Sequence, residues 1–297
     1  MNTRIVDYFY FFLTLFSINI FIFIIYSQIY YSTYVNKNPL SSNYSILLLA
    51  DSHGLCLSDN FKKDIVFNFS AESDSYSEMR RKLNYCISKN KNIKTLILTA
   101  DDHTLSSYRE KMNNMDRLVP FQHFYVEYKL YGLKGLKTYF QNFIQYYFVL
   151  LNPKAAGFTK RFISGKIQGL FRNKLSENSN FNWEFQETRM QLAQSRFESQ
   201  FPDFERSSKL SSDLIGIFQD CKENNIDVIG LKFPITPIYQ KIKKGRSYGA
   251  SDFFALHNLK IIDLENSIAD TLGNFQNQDH LTLKGGKLLA LKLVEIL

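Results

Sequence analysis

The chain has 297 residues, 45% of them hydrophobic, and a formal net charge of +8 at pH 7. This length and apolar fraction allow one large globular domain or two small ones. The three cysteines, Cys56, Cys86 and Cys221, are widely spaced and form no CxxC pair, which excludes a metal-finger pattern. The basic excess would suit a membrane surface or an anionic polymer, but charge alone does not choose between them.

The first element is an apolar segment from Tyr8 to Ile29, which carries no charged residue. It is long enough to cross the hydrocarbon core of a bilayer as one helix. No small-x-small cleavage site is evident, so we expect an uncleaved anchor rather than a signal peptide. We therefore predict a single-pass membrane protein with its bulk domain outside the cytosol. Residues 1–34 form the predicted anchor, and residues 35–43 form a polar linker.

After the linker, short apolar runs alternate with amphipathic helical segments. This alternation predicts an α/β domain over residues 44–297, in which a parallel sheet is covered by helices on both faces to give three layers. The predicted strands cover residues 44–50, 64–70, 93–100, 226–234 and 259–266, and the predicted helices cover residues 75–90, 207–225 and 283–297. Ligands bind such sheets at the carboxyl ends of the strands. Ser52 and Asp102 follow the first and third strands, so we expect both at that edge.

The alternation is interrupted by a predicted helical insertion at about residues 105–205. From Lys129 to Lys174 this insertion has nine basic residues, no acidic residue and many aromatic ones. Two interpretations stay open. The aromatic side chains fill the core of a helical subdomain, or they form a lid or a surface in the headgroup region of a membrane.

Two stretches carry residues suited to nucleophilic chemistry. "ILLLADSHGL" (46–55) ends a buried strand in Asp-Ser-His-Gly, and "FQNQDHLTLKGG" (275–286) places His280 just before a helix that Thr282 would cap. A serine hydroxyl is a weak nucleophile until a base takes its proton, so His280 at the same sheet edge would activate Ser52. A carboxylate on the other imidazole nitrogen would hold the tautomer and stabilise the imidazolium.

Together with "LILTADDHTLSSYR" (96–109), these stretches resemble sequence blocks of the SGNH, or GDSL-like, hydrolases and acyltransferases. The chain looks most like the membrane-anchored extracytoplasmic branch that O-acetylates cell-envelope polysaccharides. The resemblance covers residues 44–297 apart from the insertion, and it implies an SGNH/flavodoxin-like fold. It also implies Ser52 as the nucleophile and His280 as the base.

The chain departs from the family pattern in all four of its blocks, and in the first one Ala50 replaces the glycine of Gly-Asp-Ser. Asn277 stands where the family has the aspartate of Asp-x-x-His, so either Asn277 or Asp279 would orient His280. The second block, "NFSAESDS" (68–75), has no glycine, and a backbone amide near Ser73 would face the oxyanion instead. The third block, "LILTADDHTLSSYR" (96–109), has no asparagine donor, and Asp102 or His103 would lie near the oxyanion.

The resemblance implies acyl transfer to, or acyl ester hydrolysis from, an envelope polysaccharide or a lipid-linked glycan, the acyl group being acetyl. An acyl donor or a membrane acyl-transfer protein would be the partner, and the resemblance implies neither a cofactor nor a nucleic acid. The alternative is a catalytically degenerate SGNH-like envelope protein that binds glycan or scaffolds a partner.

A metallophosphoesterase is a further alternative, because Asp51-x-His53 resembles the start of its metal-binding pattern. Asp101, Asp102 and His103 would then be further ligands. The Gly-Asp-x-x-Asp-Arg-Gly and Gly-Asn-His-Glu stretches that this class needs are absent from the sequence. We therefore predict no metal site.

Overall fold

The structure, a computed structural model, describes residues 3–30, 44–57, 65–153, 155, 157, 186–271 and 273–297. The chain forms two compact units. The first, called the anchor unit after the role predicted for its N-terminal helix, comprises Met1–Asn36 and Met115–Lys174. The second, the α/β unit, comprises Lys37–Asn114 and Leu175–Leu297. The predicted linker, 35–43, lies outside the described residues.

The α/β unit is built on a five-stranded parallel sheet in the order β2-β1-β3-β4-β5. This is the flavodoxin-like doubly wound order. The strands are β1 (Ile46–Leu49), β2 (Val66–Asn68), β3 (Thr95–Thr99), β4 (Asp227–Lys232) and β5 (Lys260–Asp263). Each one lies within a predicted strand.

The helices were only partly predicted. They are α1 (Thr3–Tyr30), α2 (Tyr76–Lys89), α3 (Ser107–Lys111), α4 (Phe124–Tyr147), α5 (Gln186–Gln200), α6 (Ser208–Glu223), α7 (Pro237–Lys243), α8 (Ala250–Leu256) and α9 (Leu283–Ile296). Helices α2, α6 and α9 confirm the three helices predicted between and after the strands. The short helices α7 and α8 were not predicted. Residues 158–185 of the predicted insertion lie outside the described part of the chain.

Both faces of the sheet are covered by helices, which confirms the predicted three-layer α/β fold. On one face, Leu48 and Ile97 belong to the same buried cluster as Leu289 and Leu293 of α9. On the other face, Gly230 leaves space for α8, because a Cβ at this position would lie 2.9 Å from the ring of Phe254. Helix α6 packs against β4 and against α2.

Helix α9 begins where the sequence predicted. The Thr282 hydroxyl accepts a hydrogen bond from the backbone N–H of Gly285 at 3.1 Å, which is a normal N-cap. Gly286 packs closely against the short helix that follows β1. A Cβ at Gly286 would come 2.1 Å from the carbonyl oxygen of Cys56. This close approach ties the region of His280 to the region of Ser52.

The anchor unit contains α1 and α4. Within α1, the segment Arg4–Ser27 is 24 residues long with a mean hydropathy of 2.2, which is sufficient for a membrane span and is also compatible with a signal sequence. Helix α4 is kinked at Gly132, whose φ is 61°. One turn of 3-10 helix, Val149–Leu151, follows α4.

Candidate active site

Ser52 lies at the carboxyl edge of the sheet, three residues after the end of β1, where it begins a short 3-10 helix (Ser52–Leu57). The Asp51 carboxylate accepts a hydrogen bond from the backbone N–H of His53 at 2.9 Å, which closes the turn. A Cβ at Gly54 would come 2.3 Å from the Ser70 hydroxyl, which accepts from the backbone N–H of Ala50. Only glycine allows this close packing under the serine.

His280 contacts the serine directly. The distance from Ser52 Oγ to His280 Nε2 is 2.7 Å, although 228 residues separate them. The other ring nitrogen, Nδ1, lies 2.9 Å from Asn277 Oδ1 and 2.9 Å from Asp279 Oδ1. With Nδ1–H donating to these oxygens, Nε2 is left as the acceptor for the serine proton.

Asn277 closes the turn that presents His280. Its side-chain oxygen accepts from the backbone N–H of Asp279 at 3.1 Å and from that of His280 at 2.8 Å. The turn is held to the segment before α7, because the Gln278 carbonyl accepts from the Thr236 backbone N–H at 2.9 Å. Asn277 therefore shapes the turn, while Asp279 supplies the negative charge beside the imidazole.

The Asp279 carboxylate is buried and accepts two hydrogen bonds from side chains of α5. Its Oδ2 accepts from Arg196 Nε at 2.8 Å and from Gln200 Nε2 at 2.8 Å. Burial alone would raise the pKa of Asp279, but the neighbouring His280 and the Arg196 guanidinium outweigh it and hold the pKa well below its ordinary value. Asp279 is therefore ionised at neutral pH.

A second buried histidine, His53, lies beside this relay. Its Nδ1 is 2.7 Å from Asp101 Oδ2, and its ring centroid is 4.8 Å from that of His280. Its Nε2 lies 3.5 Å from Asp279 Oδ2 and makes no hydrogen bond with the described residues. Burial alone would lower the pKa of His53, but the carboxylates of Asp51 and Asp101 raise it well above its ordinary value. His53 is therefore a fixed positive charge next to Asp279.

Asp101 and Asp102, in the stretch after β3, each form charged contacts. Asp101 accepts from His53, and its other oxygen accepts from the backbone N–H of Phe233 at 2.8 Å. Asp102 forms ion pairs with Lys243 and, at 2.8 Å, with Lys232. Burial raises the pKa of Asp102, but the two lysines outweigh it and lower the pKa overall. The structure thus pairs Asp102 with lysines rather than with the serine.

His103 is paired with Asp51 rather than with the serine. Its Nε2 lies 3.3 Å from Asp51 Oδ2, and Arg109 Nη2 lies 3.2 Å from the same oxygen. Burial lowers the pKa of His103 even though Asp51 works in the opposite direction. His103 is accordingly a neutral donor to Asp51, with no contact to Ser52 among the described residues.

Ser73 lies in a turn after β2, where the Asp74 backbone N–H donates to the Ala71 carbonyl at 3.2 Å. Its φ of 62° is in the left-handed region, which is uncommon for a residue other than glycine. The backbone N–H groups of Ser70 and Ala71 are already bonded, to Asn68 and to Ala50. Ser73 therefore has the backbone conformation that a glycine normally provides.

The structure brings four of the predicted residues together: Ser52, His280, Asn277 and Asp279. It also adds Arg196, Gln200 and His53, of which the sequence had offered only His53, as a candidate metal ligand. His53 had one signal, its position next to Ser52. Arg196 and Gln200 had none, because they lie within the insertion and about 80 residues before Asp279 in the sequence.

Two groups of side chains have the residue types for a metal ion, with ligand atoms within 4.8 Å of one another: His53, Asp279 and His280, and Asp51, His53 and Asp101. In each group a carboxylate already pairs with a guanidinium, Arg196 on Asp279 and Arg109 on Asp51. A cation bound there would be repelled by that arginine. This arrangement suits a proton relay better than a metal centre.

Comparison with known proteins gives little direct help. The sequence matches no family model and no curated protein. The solved structures that match include a protein of Desulfitobacterium hafniense DCB-2 described as lipolytic and of the G-D-S-L family. The identity is 9%, the TM-score is 0.40, and the match covers 86% of this chain and 100% of the other. Since so low a TM-score carries no weight, the fold class rests on the sheet order and the site on its side-chain geometry.

Proposed function

We propose that the protein is a serine-dependent acyl-ester hydrolase or acyltransferase with a Ser52–His280–Asp279 triad. The proposal rests on the 2.7 Å contact between Ser52 Oγ and His280 Nε2, together with the ionised Asp279 carboxylate 2.9 Å from the opposite ring nitrogen. A nucleophile, a base in hydrogen-bond reach and a group that orients the base are the three parts that acyl transfer needs.

The chemistry follows from these contacts. Ser52 Oγ attacks the acyl carbonyl carbon while its proton passes to His280 Nε2, and Asp279 stabilises the imidazolium that forms. The C–O bond to the leaving alcohol breaks as His280 returns the proton to that alcohol. His280 then takes a proton from water or from a sugar hydroxyl. The oxygen of that second molecule attacks the acyl-serine, the C–O bond to Ser52 breaks, and His280 returns the proton to Ser52 Oγ, which completes hydrolysis or transfer.

The oxyanion of the tetrahedral intermediate needs N–H donors that are fixed in place. We assign this role to the backbone amides of Ser52 and Ser73. The left-handed φ of Ser73 supports the assignment, because strained non-glycine conformations tend to occur at functional sites and the related family has a glycine in this block.

The finer proposal concerns the substrate and the place of action. By its sequence resemblance, the protein acts on acetyl groups of an envelope polysaccharide or a lipid-linked glycan. It would be held outside the cytosol by the apolar helix α1. An acyl donor, or a membrane protein that delivers one, would be the partner. Neither a nucleic acid nor a cofactor has a role in this chemistry.

A serine-directed fluorophosphonate probe tests the proposal on the full-length protein in detergent. We expect labelling at Ser52, found by peptide mapping, and loss of labelling in Ser52→Ala and His280→Ala. Ser88→Ala, a change at an exposed serine of α2, is the matched control and should label normally. Labelling should also persist in a chelator, since no metal takes part.

Two results would count against this mechanism. Absence of labelling in a folded protein would favour the degenerate, glycan-binding or scaffolding alternative. Labelling that requires a metal, together with stoichiometric metal in elemental analysis, would favour the metal-dependent alternative.

A further inference from the structure

The second half of α4 and the turn after it form an uncharged segment with exposed apolar side chains. Residues 138–151 read "TYFQNFIQYYFVLL" and contain no charged residue. Seven apolar side chains are between 37% and 64% exposed: Phe140, Phe143, Ile144, Tyr147, Phe148, Leu150 and Leu151. The first half of α4 also exposes apolar side chains, such as Tyr128 and Leu133, but there they alternate with the exposed Lys129, Lys134 and Lys137. A contiguous apolar surface of this kind marks a place that another apolar medium covers.

This segment packs against α1 within the anchor unit. The Phe23 ring lies 5.9 Å from Tyr146 and 5.6 Å from Tyr147, and Tyr26 lies 5.9 Å from Tyr146. Tyr26 is 2% exposed, whereas most side chains earlier in α1 are exposed. One side of α1 is therefore built to receive α4, which a leader peptide destined for removal would not need.

Asn19 joins the two elements by hydrogen bonds. Its Nδ2 donates to the Tyr147 carbonyl at 3.2 Å, and its Oδ1 accepts from the Leu150 backbone N–H at 3.4 Å. These backbone groups lie at the end of α4, where helix carbonyls lose their partners. Water can satisfy such groups at an aqueous surface, but in hydrocarbon each one must be satisfied by protein. Asn19 provides what a helix end inside a bilayer requires.

The contacts fix the depth of the segment along α1. Later residues of α4 meet earlier residues of α1, so the two run in opposite directions. Asn19 lies eight residues before Ser27, the end of the apolar span, which is about 12 Å along a helix. Ten residues separate Lys137 from Tyr147, which is about 15 Å. When Tyr147 is level with Asn19, Lys137 is therefore near the level of Ser27, where a headgroup phosphate would lie.

We propose that residues 138–151 enter the hydrocarbon region of the membrane beside α1, with Lys129, Lys134 and Lys137 in the headgroup region. The covering medium is the acyl chains of a phospholipid bilayer. The anchor unit would thus hold the protein by two membrane elements rather than by one helix. This inference is independent of the reaction proposed above.

Depth-dependent fluorescence quenching tests the proposal on the full-length protein in vesicles of phosphatidylcholine and phosphatidylglycerol. The chain has one tryptophan, Trp183, so Trp183→Phe gives a silent background for Phe148→Trp and, as the matched control, Leu133→Trp. We expect lipids brominated deep in the acyl chain to quench the tryptophan at 148 several-fold more than the one at 133. A tryptophan at 148 that is quenched by no brominated lipid would overturn the proposal, whether its emission is that of water or that of a site covered by a partner protein.

Two further measurements do not depend on the tryptophan variants. The intact mass of the protein extracted from membranes should include residues 1–30, and a mass that lacks α1 would overturn the proposal. Disulfide cross-linking in vesicles should occur between Phe23→Cys and Tyr147→Cys but not between Phe23→Cys and Leu133→Cys. Equal cross-linking of both pairs, or of neither, would show that α4 does not dock on α1 in the membrane.

Discussion

At the scale of single residues, the most informative feature is the side chain that contacts His280 Nδ1. From the sequence, either Asn277 or Asp279 could orient His280. Asp279 could not be preferred, because it is adjacent to His280 and the side chains of adjacent residues often diverge. The turn closed by Asn277 brings both oxygens to 2.9 Å from Nδ1. No local sequence pattern predicts this arrangement of the two oxygens. It depends on the contact of the turn with Thr236 and on the hydrogen bonds from Arg196 and Gln200 of α5 to Asp279.

The two substitutions Asp279→Asn and Asn277→Ala separate charge from shape. In Asp279→Asn, residue 277 still accepts from Nδ1, so the loss of rate reports the missing charge on the imidazolium. We expect kcat for hydrolysis of a simple acetyl ester to fall by a factor on the order of 10³ to 10⁴, as for triads that lose their carboxylate. Asn277→Ala should have a smaller effect on kcat and lower the thermal stability. Near-equal kcat in Asp279→Asn and the native protein would exclude Asp279 from the relay.

His53 illustrates what sequence cannot supply at this scale. The sequence offered His53 only as a metal ligand of the metallophosphoesterase alternative, which was rejected because the other motifs of that class are absent. Its partner, Asp101, lies 48 residues away, and its raised pKa comes from two carboxylates that only the folded sheet edge brings together. Electrostatic surroundings of this kind follow from tertiary structure and leave no trace in residue spacing.

At the scale of secondary-structure elements, hydrophobic patterning was sufficient for the five strands and for α2, α6 and α9. It failed for α7 and α8, which are seven residues each and too short to display a helical period. Thr236, whose side chain caps α7, and Pro237 at its first position were the only local signals. Helix α5 was expected only as part of an insertion, yet two of its side chains, one turn apart, hold Asp279.

The contact between α9 and the 3-10 helix after Ser52 predicts a sensitive position at Gly286. A Cβ there would lie 2.1 Å from the Cys56 carbonyl oxygen, which is backbone and cannot move aside cheaply. We expect Gly286→Ala to destabilise the protein by about 1–3 kcal/mol, the usual cost of overpacking. Lys287→Ala, at the next and exposed position of α9, is the control. Chemical denaturation of both variants measures the effect, and equal midpoints would refute the close contact.

At the scale of the whole molecule, the carboxyl edge of the sheet concentrates ionised groups away from water. Asp51, Asp279 and His53 are all buried, and their pKa values are shifted so that each stays charged. In Asp51 and Asp279, nearby positive charges overcome the effect of burial; in His53, nearby carboxylates do so. Such a network links folding stability to pH from both sides.

The direction of each shift gives the pH dependence. The carboxylates have lowered pKa values in the folded state, so their contribution is present above an unfolded pKa of about 3.9 and is lost as pH falls below it. His53 has a raised pKa, so its contribution is complete below about pH 6.5 and is lost as pH rises through the folded value. We expect the melting temperature, followed by circular dichroism, to fall at both ends. In Asp279→Asn the acid limb should be shallower, and an unchanged acid limb would refute the role of this carboxylate.

The 228 residues between Ser52 and His280 have a consequence during synthesis. At about 5–20 residues per second, the ribosome makes the histidine tens of seconds or less after the serine. Throughout that interval the emerging polypeptide carries an unactivated hydroxyl, since its proton acceptor does not yet exist. On the proposed mechanism, the nascent chain is therefore unreactive while it is being made, and reactivity starts only when the C-terminal helix docks on the finished sheet.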